Sequence, residues 1–105
     1  MKKFRPIFLS VISALLLTTV VSAADQRSQD LYKAKCQSCH GADGKATAIG
    51  KKLGARDFQD PDVRKTTEAD LAKIIEQGKN KMPSYKGKLT QAQIQALASY
   101  IREMK

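Results

Sequence analysis

The sequence predicts an all-α domain, and three observations carry that prediction. Three stretches place apolar residues at helical spacing, and each is bounded by a capping residue or a glycine. No segment alternates apolar and polar residues for long enough to make a strand. The connections between the helical stretches are long and poor in apolar residues, so they need something to wrap around.

The elements follow in chain order. Residues 1–24 read as a secretory leader. Lys2, Lys3 and Arg5 are its basic start, Ile7 to Val21 its apolar run, and "VSAAD" its small-residue boundary, which predicts cleavage after Ala23 or Ala24. The rival reading is a retained anchor, because the run with its flanks is nearly long enough to span a membrane. Residues 25–105 are then one domain. A first helix is expected over Asp25 to Ser38. Ser28, Tyr32 and Cys36 share one face with Leu31 beside them, and Gly41 and Gly44 end it. A glycine-bearing loop runs on through Gly50 and Gly54, with a turn at Asp60-Pro61. Thr66 or Thr67 caps a second helix with Leu71, Ile74 and Ile75 inward and Gly78 as its stop. "KNKMPSYKGKL" is a polar loop. Thr90 and Gln93 form a capping box that opens the last helix, whose inner face is Ile94, Leu97, Ala98 and Ile101.

Composition removes several classes of function. The formal charge of +9 falls to +6 once Lys2, Lys3 and Arg5 leave with the leader. The remaining cations form no dense stripe. There is no Trp, and Tyr32, Phe58, Tyr85 and Tyr100 are the aromatic residues beyond the leader, so nucleic-acid binding is excluded. A domain this small has a thin core and needs a staple, a metal or a cofactor. Two cysteines in an exported chain would ordinarily be a disulfide. Cys36 and Cys39 stand three positions apart, and a bridge closing so small a loop would constrain the unfolded chain little.

The same five residues supply another use. Cys36, Gln37, Ser38, Cys39 and His40 spell C-x-x-C-H, the attachment signature of c-type haem. Thiols three apart on a helical turn present both sulfurs on one side, where they can add to the two vinyl groups of haem. The adjacent imidazole is then carried over the macrocycle to ligate iron. A thioredoxin-like dithiol would follow a strand, whereas a helix precedes this motif. A zinc site would need a fourth ligand beyond Cys36, Cys39 and His40. The chain holds no second histidine, so the other axial position falls to Met82, Met104, a lysine, or nothing. Met82 is the expected ligand. It lies in a loop 42 residues beyond His40, and Pro83 keeps that segment out of a helix. Met104 falls in the last turn of a helix, where methionine more often fills a core.

"CQSCHGADGK" and "GKNKMPSYKGKLT" followed by "QAQIQALASYI" together resemble the small soluble monohaem class I cytochromes c, similar to the electron carriers of cyanobacteria and plastids. The resemblance covers nearly the whole domain and is weakest from Ala46 to Lys65. It implies the cytochrome c fold, with N- and C-terminal helices crossing and a third helix and loops wrapped around one covalent haem. Tyr32, Leu97 and Tyr100 stand where the family packs that crossing, and Ser28 stands where the family often has glycine. The implied function is one-electron transport outside the cytoplasm by a monomer rather than catalysis. Lys79, Lys81, Lys86 and Lys88 surround Met82 with no acidic residue among them, and such a cluster would steer encounter with the acidic docking surface of a redox partner. Two alternatives remain at this stage: a haem enzyme or gas-sensing domain with an open distal position, to which Arg56 or Arg64 could contribute, and a fixed cytochrome subunit of a larger oxidoreductase.

Overall fold

Helix caps account for most of the element boundaries. A computed structural model describes residues 23–104, together with Lys2, Lys3 and Leu15. The apolar run of the leader lies outside the described residues. The helices are α1 (Ala23–Lys35), α2 (Gln37–His40), α3 (Ala48–Lys52), α4 (Pro61–Lys65), α5 (Glu68–Gln77) and α6 (Gln91–Glu103). Among the described residues the only β pairing is two isolated bridges, Lys79 with Met82 and Lys86 with Leu89.

The capping box of α6 forms as expected. The Gln93 backbone N–H donates to Thr90 Oγ1 (3.1 Å), and the Thr90 N–H donates to Gln93 Oε1 (2.9 Å). Thr67 caps α5 by accepting from the Asp70 N–H at 3.1 Å, and Glu68 and Asp70 place negative charge in the first turn, where the helix dipole favours it. Gly78 ends α5 at φ +76°, a conformation that disfavours a side chain.

The inner faces meet in one core. Tyr32, Ile94, Leu97 and Ala98 are almost wholly enclosed, with Ser28, Ile75 and Ile101 nearly so. α1 and α5 both pack on α6. The Tyr32 and Tyr100 rings meet with centroids 5.4 Å apart at 53°, so the aromatic pair expected between the first and last helices is present. Ser28 is buried in α1 one turn before Tyr32. Leu71 and Ile74 are half-buried, flanking the fully inward Ile75.

Three expectations need correction. The first helix does not run through to Ser38. It stops at Lys35, and Cys36, still in the right-handed region but with its φ shifted to −118° (ψ −34°), separates it from α2. The glycine-bearing stretch through Gly50 and Gly54 to Val63 is not all loop, because Thr47 caps α3 and Asp60 caps α4 with Pro61 at its first position. Asp60-Pro61 is therefore a helix start and not a free turn. Met104 is at the end of the last helix as expected, the C-cap of α6, half-buried against the core near Val63 and Leu71.

Between α2 and α4 the chain is held by its own polar groups. The Phe58 N–H donates to the Gly44 carbonyl (2.8 Å), the Ala46 N–H to Asp57 Oδ1 (2.8 Å), and Gln59 Nε2 to the Asp43 carbonyl (2.8 Å). These bonds turn the Phe58 ring inward, where it joins the core. An Arg102 guanidinium from α6 donates to the Thr66 carbonyl and fastens the end of α4.

Candidate functional site

The break at Cys36 shapes the site. In a continuous helix the Cys39 N–H would donate to the Lys35 carbonyl, four residues back. Here it goes to the Cys36 carbonyl at 3.2 Å, and the His40 N–H goes to the same oxygen at 3.0 Å. Cys36 and Cys39 thus flank one tight turn, with His40 directly after. The two are not joined in a disulfide; Cys36 is buried and Cys39 half-buried. Burial pushes the Cys36 thiol up to about 11, because a thiolate would lose its hydration there.

His40 is half-buried, and its ring stacks on Phe58 with centroids 4.9 Å apart at 26°. Its Nδ1 is enclosed without a hydrogen-bond partner in the protein. Burial pushes the imidazole below its ordinary value, which keeps it neutral near pH 7 and its lone pair available to a metal.

Two short helices so close together leave unmet carbonyls, and three hydroxyls from three different elements meet them. Tyr32 OH donates to the Gly41 carbonyl at 2.6 Å. Thr47 Oγ1 donates to the Ser38 carbonyl at 2.7 Å. Tyr85 OH donates to the Lys35 carbonyl at 2.9 Å across 50 residues of sequence. Thr47 also caps α3, accepting from the Gly50 N–H at 3.1 Å, while its own N–H donates to the Cys39 carbonyl at 3.0 Å. α3 therefore sits directly on the attachment turn, so close that a Cβ on Gly50 would lie 1.9 Å from the Cys39 carbonyl oxygen.

Met82 is half-buried and packs on the core cluster that contains Cys36. The hydrogen bond from Tyr85 OH to the Lys35 carbonyl sets the loop that carries Met82 beside the turn of Cys36, Cys39 and His40. Met104 packs on the same core cluster, beside a cavity of about 70 Å³ lined by Phe58, Val63, Leu71 and Ile101. Arg56 is engaged at the surface with Asp62 (3.1 Å). Lys79, Lys81, Lys86 and Lys88 are all exposed. Sequence reasoning missed the roles of Phe58, Thr47 and Tyr85. Phe58, an aromatic residue set in a polar loop, was the one of these with a visible signal.

A family described as Cytochrome C oxidase, cbb3-type, subunit III, matches residues 23–101. The chain belongs to this family of c-type cytochromes. A curated cytochrome c6 from Leptolyngbya boryana is 34% identical over 71 residues, covering 68% of this chain and 81% of the relative. Cytochrome c6 from Nostoc sp. is 30% identical over 103 residues, covering 92% and 91%. Among solved structures, the KustC0563 c-type cytochrome superposes with a TM-score of 0.70 at 36% identity, over 74% of this chain and 96% of that one. The chain is therefore an electron-transfer cytochrome with the cytochrome c fold, one covalently attached haem c and redox partners, and it works as a carrier rather than an enzyme. The residues of the site fit that group. Two thiols flank one turn, and a neutral imidazole with an orphaned, enclosed nitrogen follows them.

Proposed function

We propose that this cytochrome is an exported carrier of single electrons in which Cys36 and Cys39 hold the haem through thioether bonds and His40 and Met82 are the axial ligands. The observation that supports the reading is the hydrogen bond from Tyr85 OH to the Lys35 carbonyl (2.9 Å), which sets the loop of Met82 beside the turn of Cys36, Cys39 and His40. The haem supplies the one-electron couple. The protein's part is to hold and tune it. Neutral His40 offers a ring nitrogen, stacking on Phe58 fixes its plane, and the three hydroxyl bonds keep the turn rigid. The Met82 thioether is uncharged and soft, which raises the reduction potential relative to a second imidazole. With both axial positions taken by the protein, no position is left for a substrate.

Export rests on the leader, with residues 1–24 removed after Ala23 or Ala24 so that residues 25–105 work as a monomer in the periplasm or an equivalent space. Among the described residues no helix is long and apolar enough to cross a membrane. The exposed lysines around Met82 would draw in the acidic surface of a partner.

The ligation is tested on the oxidised holoprotein. We expect a low-spin spectrum with a weak band at the red end of the visible that disappears in Met82→Ala. A high-spin spectrum in the unmodified protein refutes it. A second reading, a cytochrome fixed within a larger oxidoreductase, draws on the family's description. Gel filtration of the native periplasmic fraction separates the two: a carrier elutes as a small monomer, and a fixed subunit with a large complex.

A further inference from the structure

The Met82 loop takes its own shape from α5. The Tyr85 N–H donates to the Ile75 carbonyl (3.1 Å), the Lys86 N–H to the Glu76 carbonyl (3.1 Å), and Ser84 Oγ to the same Glu76 carbonyl (2.6 Å). These are carbonyls of the last turns of α5, which that helix cannot all satisfy itself. Before the proline, Lys79 and Met82 exchange backbone bonds of 3.2 and 2.9 Å. All of this fixes the loop relative to α5. None of it fixes the loop relative to the turn that carries Cys36, Cys39 and His40.

One hydrogen bond among the described residues crosses that divide: Tyr85 OH to the Lys35 carbonyl at 2.9 Å. Its acceptor is available because the helix breaks at Cys36 and the Cys39 N–H turns away to the Cys36 carbonyl. The Tyr85 ring is half-buried and packs on the core. Burial pushes its hydroxyl above the ordinary tyrosine value, so it remains a donor throughout the physiological range.

We propose that Tyr85 is a positioning residue, a latch whose hydroxyl holds the Met82 loop closed over the attachment turn. This rests on the reading of Met82 as the distal ligand. The latch resists opening of the loop, and so governs how readily an external ligand displaces the thioether. It does not touch the haem iron.

The experiment measures cyanide binding to the oxidised holoprotein by stopped flow in four proteins: unmodified, Tyr85→Phe, Tyr32→Phe and Met82→Ala. Phe keeps the ring and removes only the hydroxyl. A typical hydrogen bond corresponds to a change of roughly fivefold in the open population. Tyr85→Phe should therefore keep the resting spectrum and bind cyanide about five times faster. Tyr32→Phe loses the bond to the Gly41 carbonyl, which holds the turn but does not reach the Met82 loop, so it should lower stability and speed cyanide binding less than Tyr85→Phe does. Met82→Ala should bind fastest of all. If Met82→Ala is fast and Tyr85→Phe matches the unmodified protein, the latch is wrong and the ligation stands. If Tyr85→Phe and Tyr32→Phe accelerate equally, the effect is general loosening and the latch is again wrong. If Met82→Ala binds no faster than the unmodified protein, Met82 does not guard the iron, and both proposals fall.

Discussion

Gly50 is the tightest approach between α3 and the attachment turn, and Gly50→Ala measures what that approach is worth. The added Cβ would lie 1.9 Å from the Cys39 carbonyl oxygen and 2.8 Å from its carbon, about 1.5 Å short of ordinary contact with the oxygen. The obstacle is backbone within a hydrogen-bonded turn, so it cannot rotate away as a side-chain end would. α3 must move, and the bonds from Thr47 to the Cys39 and Ser38 carbonyls, 3.0 and 2.7 Å long, break with it. Overpacking costs about 1–3 kcal/mol. Each lost hydrogen bond adds about 1 kcal/mol. The better helix propensity of alanine returns only about 1 kcal/mol. The clash wins, and the net loss is about 2–4 kcal/mol. For a domain of this size, that lowers the melting temperature by about 10–25 °C. The assay is thermal unfolding of the holoprotein by far-ultraviolet circular dichroism, with Lys51→Ala, exposed on the same helix, as the neutral control. A Gly50→Ala protein as stable as that control refutes the packing of α3 on the turn.

Two further outcomes are expected. Reversing Lys79 and Lys81 to Glu should slow association with an acidic redox partner about tenfold at low salt. The difference should fade as the screening length drops from about 10 Å at 0.1 M to about 3 Å at 1 M. The matched control is Lys65→Glu with Lys73→Glu, since both residues are exposed and lie on α4 and α5, whereas Lys51 and Lys52 sit on α3 beside the attachment turn. Equal slowing by both pairs would leave net charge, and no docking face, as the cause. The haem-free double variant Cys36→Ala/Cys39→Ala should lose cooperative melting, because the core around Tyr32, Ile94 and Leu97 is small and the chain from Gly41 to Thr66 turns little more than Phe58 and Ala46 fully inward. A helical haem-free protein with a sharp thermal transition contradicts this.

Much of the fold was legible because its signals are local. The Thr90–Gln93 box, the Thr67 cap and the Gly78 stop each involve residues within about one turn of one another, and all three form as read. The inner faces of α1 and α6 follow from spacing alone, and Ser28, Tyr32, Cys36, Ile94, Leu97, Ala98 and Ile101 are all buried. The short helices were not legible. α3 and α4 have five residues each, too few to show a period, and each depends on a single capping side chain, Thr47 or Asp60. Only part of the site was legible. The spacing of Cys36, Cys39 and His40 is visible in any reading of the chain, whereas Phe58 under His40 and Tyr85 against Lys35 are not.

By itself the sequence determined the helical class, the caps, the apolar faces and the C-x-x-C-H spacing, because each of these depends on residues within a few positions of one another. Tertiary structure alone decided where α1 breaks, which aromatic ring lies against His40, and which hydroxyls meet the carbonyls that the break leaves exposed. Those outcomes depend on where the chain returns after 9 to 50 residues. That return path is set by the packing of α1, α5 and α6 around a shared core, and no spacing within a short window encodes it.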